Sequence, residues 1–295
     1  MNISKLNFVK QLCMMICMTV FFLPLQAQND SSSHKINSLK DDAYLHPVDC
    51  VTPYTLQKGE WIYGQSWQTL PFPSWAFYGL TDHLTMQIDL LPWLYGSFTE
   101  LKKPIPSLNF RYRFNEQENK IPTIGVEAMF IYFWDTLQRF ETPTITVTES
   151  GAYFHLKPAI SYQINDDWFL NLSVGFDYMK GLTMQNNDTS NYIYHDFTNA
   201  FNINYAGGID YRPSDWISYH IAYQYGATLT YLENVPRKAM FTYGARFAPF
   251  YQNRFGILRN LRIELTSINA YFADVDAWQA TVFPIYPYIY WQWKK

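Results

Sequence analysis

The stretch Trp168-Phe169-Leu170-Asn171-Leu172-Ser173-Val174-Gly175-Phe176-Asp177-Tyr178-Met179 decides how this chain is built. Trp168, Leu170, Leu172, Val174, Phe176 and Tyr178 fall on one side of an extended backbone, and Asn171, Ser173, Gly175 and Asp177 on the other. Side chains of a β-strand alternate between two faces, so this is a strand with one apolar and one polar face. The pattern recurs: Leu84, Met86, Ile88 and Leu90 oppose Thr85, Gln87 and Asp89, while Leu108, Phe110, Tyr112 and Phe114 oppose Asn109, Arg111 and Arg113. Further on, Phe201, Ile203, Tyr205 and Ile209 oppose Asn202, Asn204, Gly208 and Asp210; Ile217, Tyr219, Ile221, Tyr223 and Tyr225 oppose Ser218, His220, Ala222 and Gln224. No segment keeps the helical period over a useful length.

Carried along the chain, the alternation predicts twelve strands, at residues 59–67, 73–80, 84–95, 107–115, 122–134, 151–163, 167–179, 198–212, 216–228, 238–249, 257–267 and 279–293. Short turns at Thr81-His83, Asn115-Lys120, Asn165-Asp166 and Pro213-Asp215 carry the Asn, Asp, Pro and Ser that tight turns favour. The other connections, such as Gly96-Pro106, Asp135-Ser150, Lys180-Thr198 and Thr230-Arg237, are longer, and Phe250-Gly256 fits the rhythm least well. An even strand number with short turns at one end and long loops at the other is the layout of an antiparallel up-and-down transmembrane β-barrel.

A soluble barrel or sandwich also alternates, so the chemistry of the two faces has to decide. A soluble outward face is dense in Lys and Glu; here charged residues are only 16% of the chain. The ten charges Asp89, Arg111, Arg113, Glu127, Lys157, Asp177, Asp210, Arg246, Arg262 and Glu264 all fall on the polar side of their strands, which makes them the candidate lumen-lining set. An Arg or Lys on the other side would cost about 2–4 kcal/mol at mid-bilayer. Tyr162, Trp168 and Tyr211 sit on apolar faces beside short turns, and Trp134, Tyr178 and Tyr225 near long loops, as two interfacial aromatic belts would. The uncharged stretches Trp61-Thr81 and Ala277-Trp293 each hold two prolines and do not read as spanning helices. In lipid every backbone polar group has to be paired, so the sheet is expected to close.

The chain is 295 residues with 22 Phe, 24 Tyr and 10 Trp and a formal charge of −3. Without a basic run there is no electrostatic footprint for nucleic acid. Lys5 and Lys10, the apolar run Leu12 to Leu23, and Leu25-Gln26-Ala27 form the three parts of a secretory signal peptide, expected to be cut after Ala27. Cys13 and Cys17 fall within it, leaving Cys50 alone, with no intramolecular disulfide and no metal cluster to join. The organisation is therefore a signal peptide at 1–27, a periplasmic N-terminal segment at 28–57, most simply a polar tether, and a barrel at 58–295.

Tyr54-Thr55-Leu56-Gln57-Lys58-Gly59-Glu60-Trp61, Tyr78-Gly79-Leu80-Thr81-Asp82-His83-Leu84-Thr85 and Pro106-Ser107-Leu108-Asn109-Phe110-Arg111-Tyr112-Arg113-Phe114 resemble the opening of a group of poorly characterised Gram-negative outer-membrane barrels. More distantly they resemble transporter-like barrels found with phenol-degradation pathways. The resemblance spans about the first third of the mature chain and consists of strand and turn signatures. It implies a barrel and no catalytic residue. One departure stands at the end, where Trp293 is followed by Lys294 and Lys295 and not left as the terminal aromatic that insertion machinery recognises.

The mixed signs of the ten inward charges suit a salt-bridge network across a narrow interior, which is compatible with a solute path if the network leaves a gap. A lipid hydrolase would need Ser and His in hydrogen-bond reach. Ser218 with His220, and His155 with Ser161, share faces, but both pairs would point into the lumen, and no His-x-Ser-Asn-Gly occurs. Asp274-Val275-Asp276 and Asn186-Asn187-Asp188 fall short of the ligand count of a calcium site. No cofactor, metal or catalytic residue is implied. The reading is an all-β barrel in the outer membrane of a Gram-negative bacterium with both termini periplasmic. Its partners are membrane lipid, the barrel-insertion machinery and a small solute. Its function is that of a channel or transporter-like barrel and not an enzyme; the alternatives are a non-conducting structural or surface-interaction barrel and, third, a lipid hydrolase.

Overall fold

The computed structural model describes residues 39, 42, 51–66, 75–89, 107–133, 145–186, 195–196, 200–226, 237–272, 277–280 and 286–293. Strands are β1 (Trp61–Ser66), β2 (Trp75–Thr81), β3 (Leu84–Asp89), β4 (Ser107–Asn115), β5 (Thr123–Phe133), β6 (Ile145–Gln163) and β7 (Trp168–Asn186). They continue with β8 (His195–Asp196), β9 (Ala200–Tyr211), β10 (Ile217–Tyr225), β11 (Arg237–Phe247), β12 (Leu261–Phe272), β13 (Ala277–Ala280) and β14 (Tyr286–Trp293). Every pairing is antiparallel and, the short β8 and β13 aside, joins strands consecutive in the chain, while β14 returns to pair with β1, Trp61 opposite Trp293. With β11 paired to β12, Arg246 opposite Glu264, the ring closes with no free edge. Twelve strands make this closed barrel; the short β8 pairs with β7 beyond the stretch that β9 covers, and β13 with β12 beyond the stretch that β14 covers.

The faces are set by the alternation. Leu172 is 61% exposed on the outside, whereas its neighbours Asn171 and Ser173 are 4% and 5% exposed within. Phe110, Tyr112, Phe130, Ile160, Leu170, Val174, Phe201, Ile203, Tyr205, Ile221 and Leu265 are likewise exposed outward. Soluble monomers rarely expose a continuous apolar belt of this kind. A closed barrel with an apolar outside and a polar inside is a transmembrane barrel of the outer-membrane type. Around the rim where the short turns lie, Trp168 stacks on Tyr211 at 4.3 Å and Tyr211 faces Tyr219 at 6.4 Å, an aromatic girdle of the interfacial kind. Tyr205 stacks on Tyr225 at 5.1 Å toward the other rim; Trp134 lies outside the described residues.

Local chemistry forms the turns. The Asn165 side-chain oxygen accepts from the Asp167 and Trp168 amides at 2.9 and 3.0 Å, closing the β6–β7 turn. Asn119 supplies a left-handed residue, φ 54°, between β4 and β5. Three expectations are corrected. Residues 257–260 are not strand: Gly256–Arg259 forms one helical turn, α1, and β12 starts at Leu261. Ile257 and Leu258 are adjacent apolar residues that no strand face could both carry, and both are exposed. The β6–β7 hairpin runs past the loops expected at 135–150 and 180–198, because Ile145 to Glu149 continue pairing with Asn186 to Leu182. Residues 279–293 are not one strand, since 277–280 pair with β12 and β14 begins at Tyr286.

The start of β1 and the end of β14 share the turn rim, and part of the preceding segment enters the barrel there. Leu56 is fully buried and its amide donates to the Thr85 hydroxyl at 2.7 Å. The Thr55 hydroxyl donates to the Asp82 carbonyl at 2.8 Å. Gly125 leaves room for Pro53, whose Cβ would lie 2.8 Å from a side chain there. Leu39 and Asp42 are buried as well. The described residues of 28–57 are thus packed into the mouth and do not trail from it as a tether. The signal peptide, Cys50, Lys294 and Lys295 lie outside the described residues.

Candidate functional site

The site is the barrel interior. Alternation on each strand turns polar residues inward, and neighbouring registers bring opposite charges side by side. Arg111 on β4 stands opposite Glu127 on β5, and its Nε and Nη2 donate to Glu127 Oε2. The other Glu127 oxygen lies 3.2 Å from His155 Nε2 on β6. Lys157 Nζ is 3.7 Å from Asp177, which also accepts from the Asn204 side-chain amide at 2.5 Å. Arg246 Nε donates to Glu264 at 3.1 Å, and the Thr266 hydroxyl donates to the other Glu264 oxygen at 2.9 Å. These groups are all at least nine-tenths buried, where a charge persists only when paired.

Near the turn rim the pairs bind the N-terminal segment. Arg262 Nε and Nη2 grip both carboxylate oxygens of Asp42, at 2.8 and 3.1 Å. Arg212 donates to the Leu39 and Asp42 carbonyls at 2.7 and 3.0 Å, stands 3.5 Å from Asp210 and lies over the Phe169 ring at 4.9 Å. Tyr54 belongs to the same packing, and burial pushes its phenol above the ordinary value. Arg113 sits at the rim itself, 2.8 Å from the exposed Glu116 and donating to the Asp82 carbonyl.

Of the ten candidate lumen residues, Arg111, Glu127, Lys157, Asp177, Asp210, Arg246, Arg262 and Glu264 are buried inside, and Arg113 is half-buried. Asp89 ends β3 opposite Trp75, and its side chain is outside what is described. Arg212 and Asp42 were not legible as site residues. Arg212 shares the inward face of Asp210 two residues on, a usable signal; Asp42 lies in a polar run with none.

An apolar strip faces the lumen on β1, β2 and β14. Ile62, Trp75, Phe77 and Tyr290 cluster with Leu56 of the N-terminal segment. Trp75 meets Phe77 edge-on at 5.1 Å and Tyr290 at 6.1 Å. Gly64 leaves the space Trp75 fills, for a Cβ there would fall 2.1 Å from the indole. The final strand Tyr286-Pro287-Tyr288-Ile289-Tyr290-Trp291 carries large apolar groups on both faces, so its sequence does not say which aromatics turn inward. Next to the strip Phe77, Thr85, Gln87, Asn109, Arg111 and Glu127 line a tightly packed gap that leaves no room for a water molecule.

The serine and histidine pairs do not come together as a nucleophile and its base. The His220 ring leans across β11 over Gly244, its Nε2 3.3 Å from the Thr266 hydroxyl. His155 engages Glu127 while Ser161 donates to Asn171. Among the described residues no group of three His, Cys, Asp or Glu is placed to hold a metal; 187–188 and 274–276, considered for calcium, lie outside them.

No protein-family model and no curated protein matches the chain. Among solved structures it is similar to the toluene transporter TodX of Pseudomonas putida, at 9% identity and TM-score 0.39 over 88% of this chain and 99% of that one. It is similar to the monoaromatic hydrocarbon channel CymD at 10% and 0.36, over 80% and 87%. The outer-membrane channel DcaP of Acinetobacter baumannii aligns at 10% and 0.33, over 90% and 69%. The fold conclusion rests on the strand pairing and the two faces, not on these likenesses.

Proposed function

We propose that the chain is an outer-membrane channel or transporter-like barrel for small solutes, with both termini and the packed N-terminal segment on the periplasmic side. The observation that carries this is a closed, lipid-facing barrel whose interior is polar throughout most of its circumference and ionically compensated. Arg111, Glu127, Lys157 and Asp177 turn inward along successive strands and give that wall the ionic and hydrogen-bonding character a polar solute path requires. A second reading, a non-conducting structural or surface-interaction barrel, is favoured by the residues packed into the turn-rim mouth. Reconstitution into a planar bilayer separates the two: a channel gives discrete conductance steps that change with Arg111→Ala or Asp177→Ala. Silence across voltages, in protein that still migrates as a heat-modifiable barrel, favours the structural reading.

A further inference from the structure

We infer that the β11–β12 connection, residues 248–260, is a lipid-binding surface. Its apolar side chains enter the periplasmic leaflet, and Arg254 and Arg259 take the phosphate of an anionic phospholipid headgroup. The inference rests on the placement of the turn rim in the periplasm, proposed above, and not on conduction.

The first support is apolar exposure in an ordered segment. The turns Thr81-His83, Asn165-Asp167 and Pro213-Asp215 are short and mostly polar. The β11–β12 connection instead leaves Phe250 44%, Phe255 72%, Ile257 38% and Leu258 36% exposed. Its own hydrogen bonds hold it in that shape. The Asn253 amide donates to the Phe250 carbonyl at 2.8 Å, and the Phe255 amide to the Asn253 side-chain oxygen at 2.8 Å. In α1 the Leu258 and Arg259 amides donate to the Phe255 carbonyl at 3.1 and 2.9 Å. Apolar groups clustered and fixed outward in this way mark a contact surface.

The second support is continuity with the lipid-facing wall. Phe247, on the outer face of β11, stands opposite Ile217 and Ile263, its ring 6.5 Å from that of Trp216. Tyr219 of the turn-rim girdle stands opposite Ala245, two residues before Phe247. Two residues on a strand tilted by about 40° descend about 5 Å. The headgroup layer beyond the hydrocarbon is about 5–7 Å thick on each side. The connection therefore leaves the wall at Phe247 within the headgroup layer and rejoins it at Leu261.

The third support is charge. Residues 248–260 contain Arg254 and Arg259 and no acid, against the single Asp215 of the neighbouring β9–β10 turn. Arg254 is exposed and Arg259 half-buried. Among the described residues neither side chain has an ion-pair partner, whereas Arg246 and Arg262 inside the barrel each have one. Guanidinium forks match phosphate oxygens, and cations beside an apolar surface are the composition of an interfacial anchor. Phosphatidylcholine carries its own cation next to the phosphate, so the arginines gain less from it.

The test is native mass spectrometry of the barrel released from detergent micelles doped with phosphatidylglycerol or with phosphatidylcholine of the same acyl chains. The parent is expected to retain phosphatidylglycerol at about ten- to twentyfold lower lipid fraction, each arginine contributing about fivefold. Arg254→Gln with Arg259→Gln should bring the two lipids within about twofold of each other. Lys58→Gln, which removes an exposed cation elsewhere on the rim, should leave the preference in place. Phe255→Ser with Leu258→Ser should weaken both lipids by about threefold or more. All variants should retain heat-modifiable migration. Equal retention of the two lipids by the parent leaves the surface to a protein partner and overturns the inference. A preference that survives both glutamines, or falls equally with Lys58→Gln, overturns it too, as does unchanged retention in the serine pair. A preference abolished by excess inorganic phosphate, and not by chloride of equal ionic strength, assigns the arginines to free phosphate and overturns the lipid. Cleavage after Arg254 by trypsin added to intact cells would put this rim outside and overturn the periplasmic placement with the inference. The micelle ratios do not depend on orientation, so the two failures are told apart, and neither touches conductance.

Discussion

Leu172→Arg probes whether hydrocarbon touches the outer wall. Leu172 is 61% exposed on β7, four residues from Trp168 in the turn-rim girdle. At about 3.4 Å per residue along a strand tilted by about 40°, it stands roughly 10 Å above that girdle. The apolar band of such barrels is about 25 Å tall, so Leu172 is near its middle. It packs beside Ile160 and over Gly207, and neither can pair with a guanidinium. An arginine at this depth is expected to cost about 2–4 kcal/mol, or roughly 30- to 700-fold in the folding equilibrium. Trp168→Arg, at the interface, should cost only about 0–1 kcal/mol. The measurement is reversible denaturant unfolding of the barrel in phosphatidylcholine vesicles, followed by tryptophan fluorescence, with Leu172→Met as the near-neutral control. A surface position in water would tolerate the arginine within about 0.5 kcal/mol. If Leu172→Arg costs no more than that, or costs the same as Trp168→Arg, the assignment of the outer face to lipid is wrong.

Two further predictions concern the N-terminal segment. Arg262→Ala removes the bidentate grip on the buried Asp42 carboxylate, a loss of about 3–5 kcal/mol; the segment is then expected to leave the mouth, and trypsin should cut ahead of Val51 faster than in the parent, equal digestion rates being the refuting result. Gly79→Ala places a Cβ 2.0 Å from the Gln57 carbonyl oxygen and 2.8 Å from its carbon, backbone atoms that cannot swing aside. It should destabilise by about 1–3 kcal/mol, whereas Gly207→Ala meets only the tip of Leu172 at 3.3 Å and should stay within about 0.5 kcal/mol; denaturant midpoints of the two variants would refute this if they coincide.

How much could be read in advance followed from where the face chemistry is one-sided. On β4, β9 and β10 apolar and polar residues alternate, and those strands lie within a few residues of where the pattern puts them, while β7 begins where expected and runs on to Asn186. The pattern is weaker on β1, β2 and β14, where Ile62, Trp75, Phe77, Tyr288 and Tyr290 are apolar or aromatic and still turn inward. Lipid and an apolar lumen wall are the same environment to a side chain, so composition cannot rank the two faces there. α1 escaped for a different reason: one helical turn carries too few residues for a period to be seen.

From its residues alone, then, the chain settles strand number, strand direction and which side most strands give to lipid, because a period-two pattern is local and each strand carries its own. Contacts between residues far apart in the chain settle the rest. The Arg262 grip on Asp42 spans 220 positions and the Arg212 bond to the Leu39 carbonyl spans 173, so neither leaves a mark in any window of sequence. Whether the mouth is filled, which carboxylate answers each buried cation, and which wall of the lumen is apolar are decided only when the ring closes and sets those registers side by side.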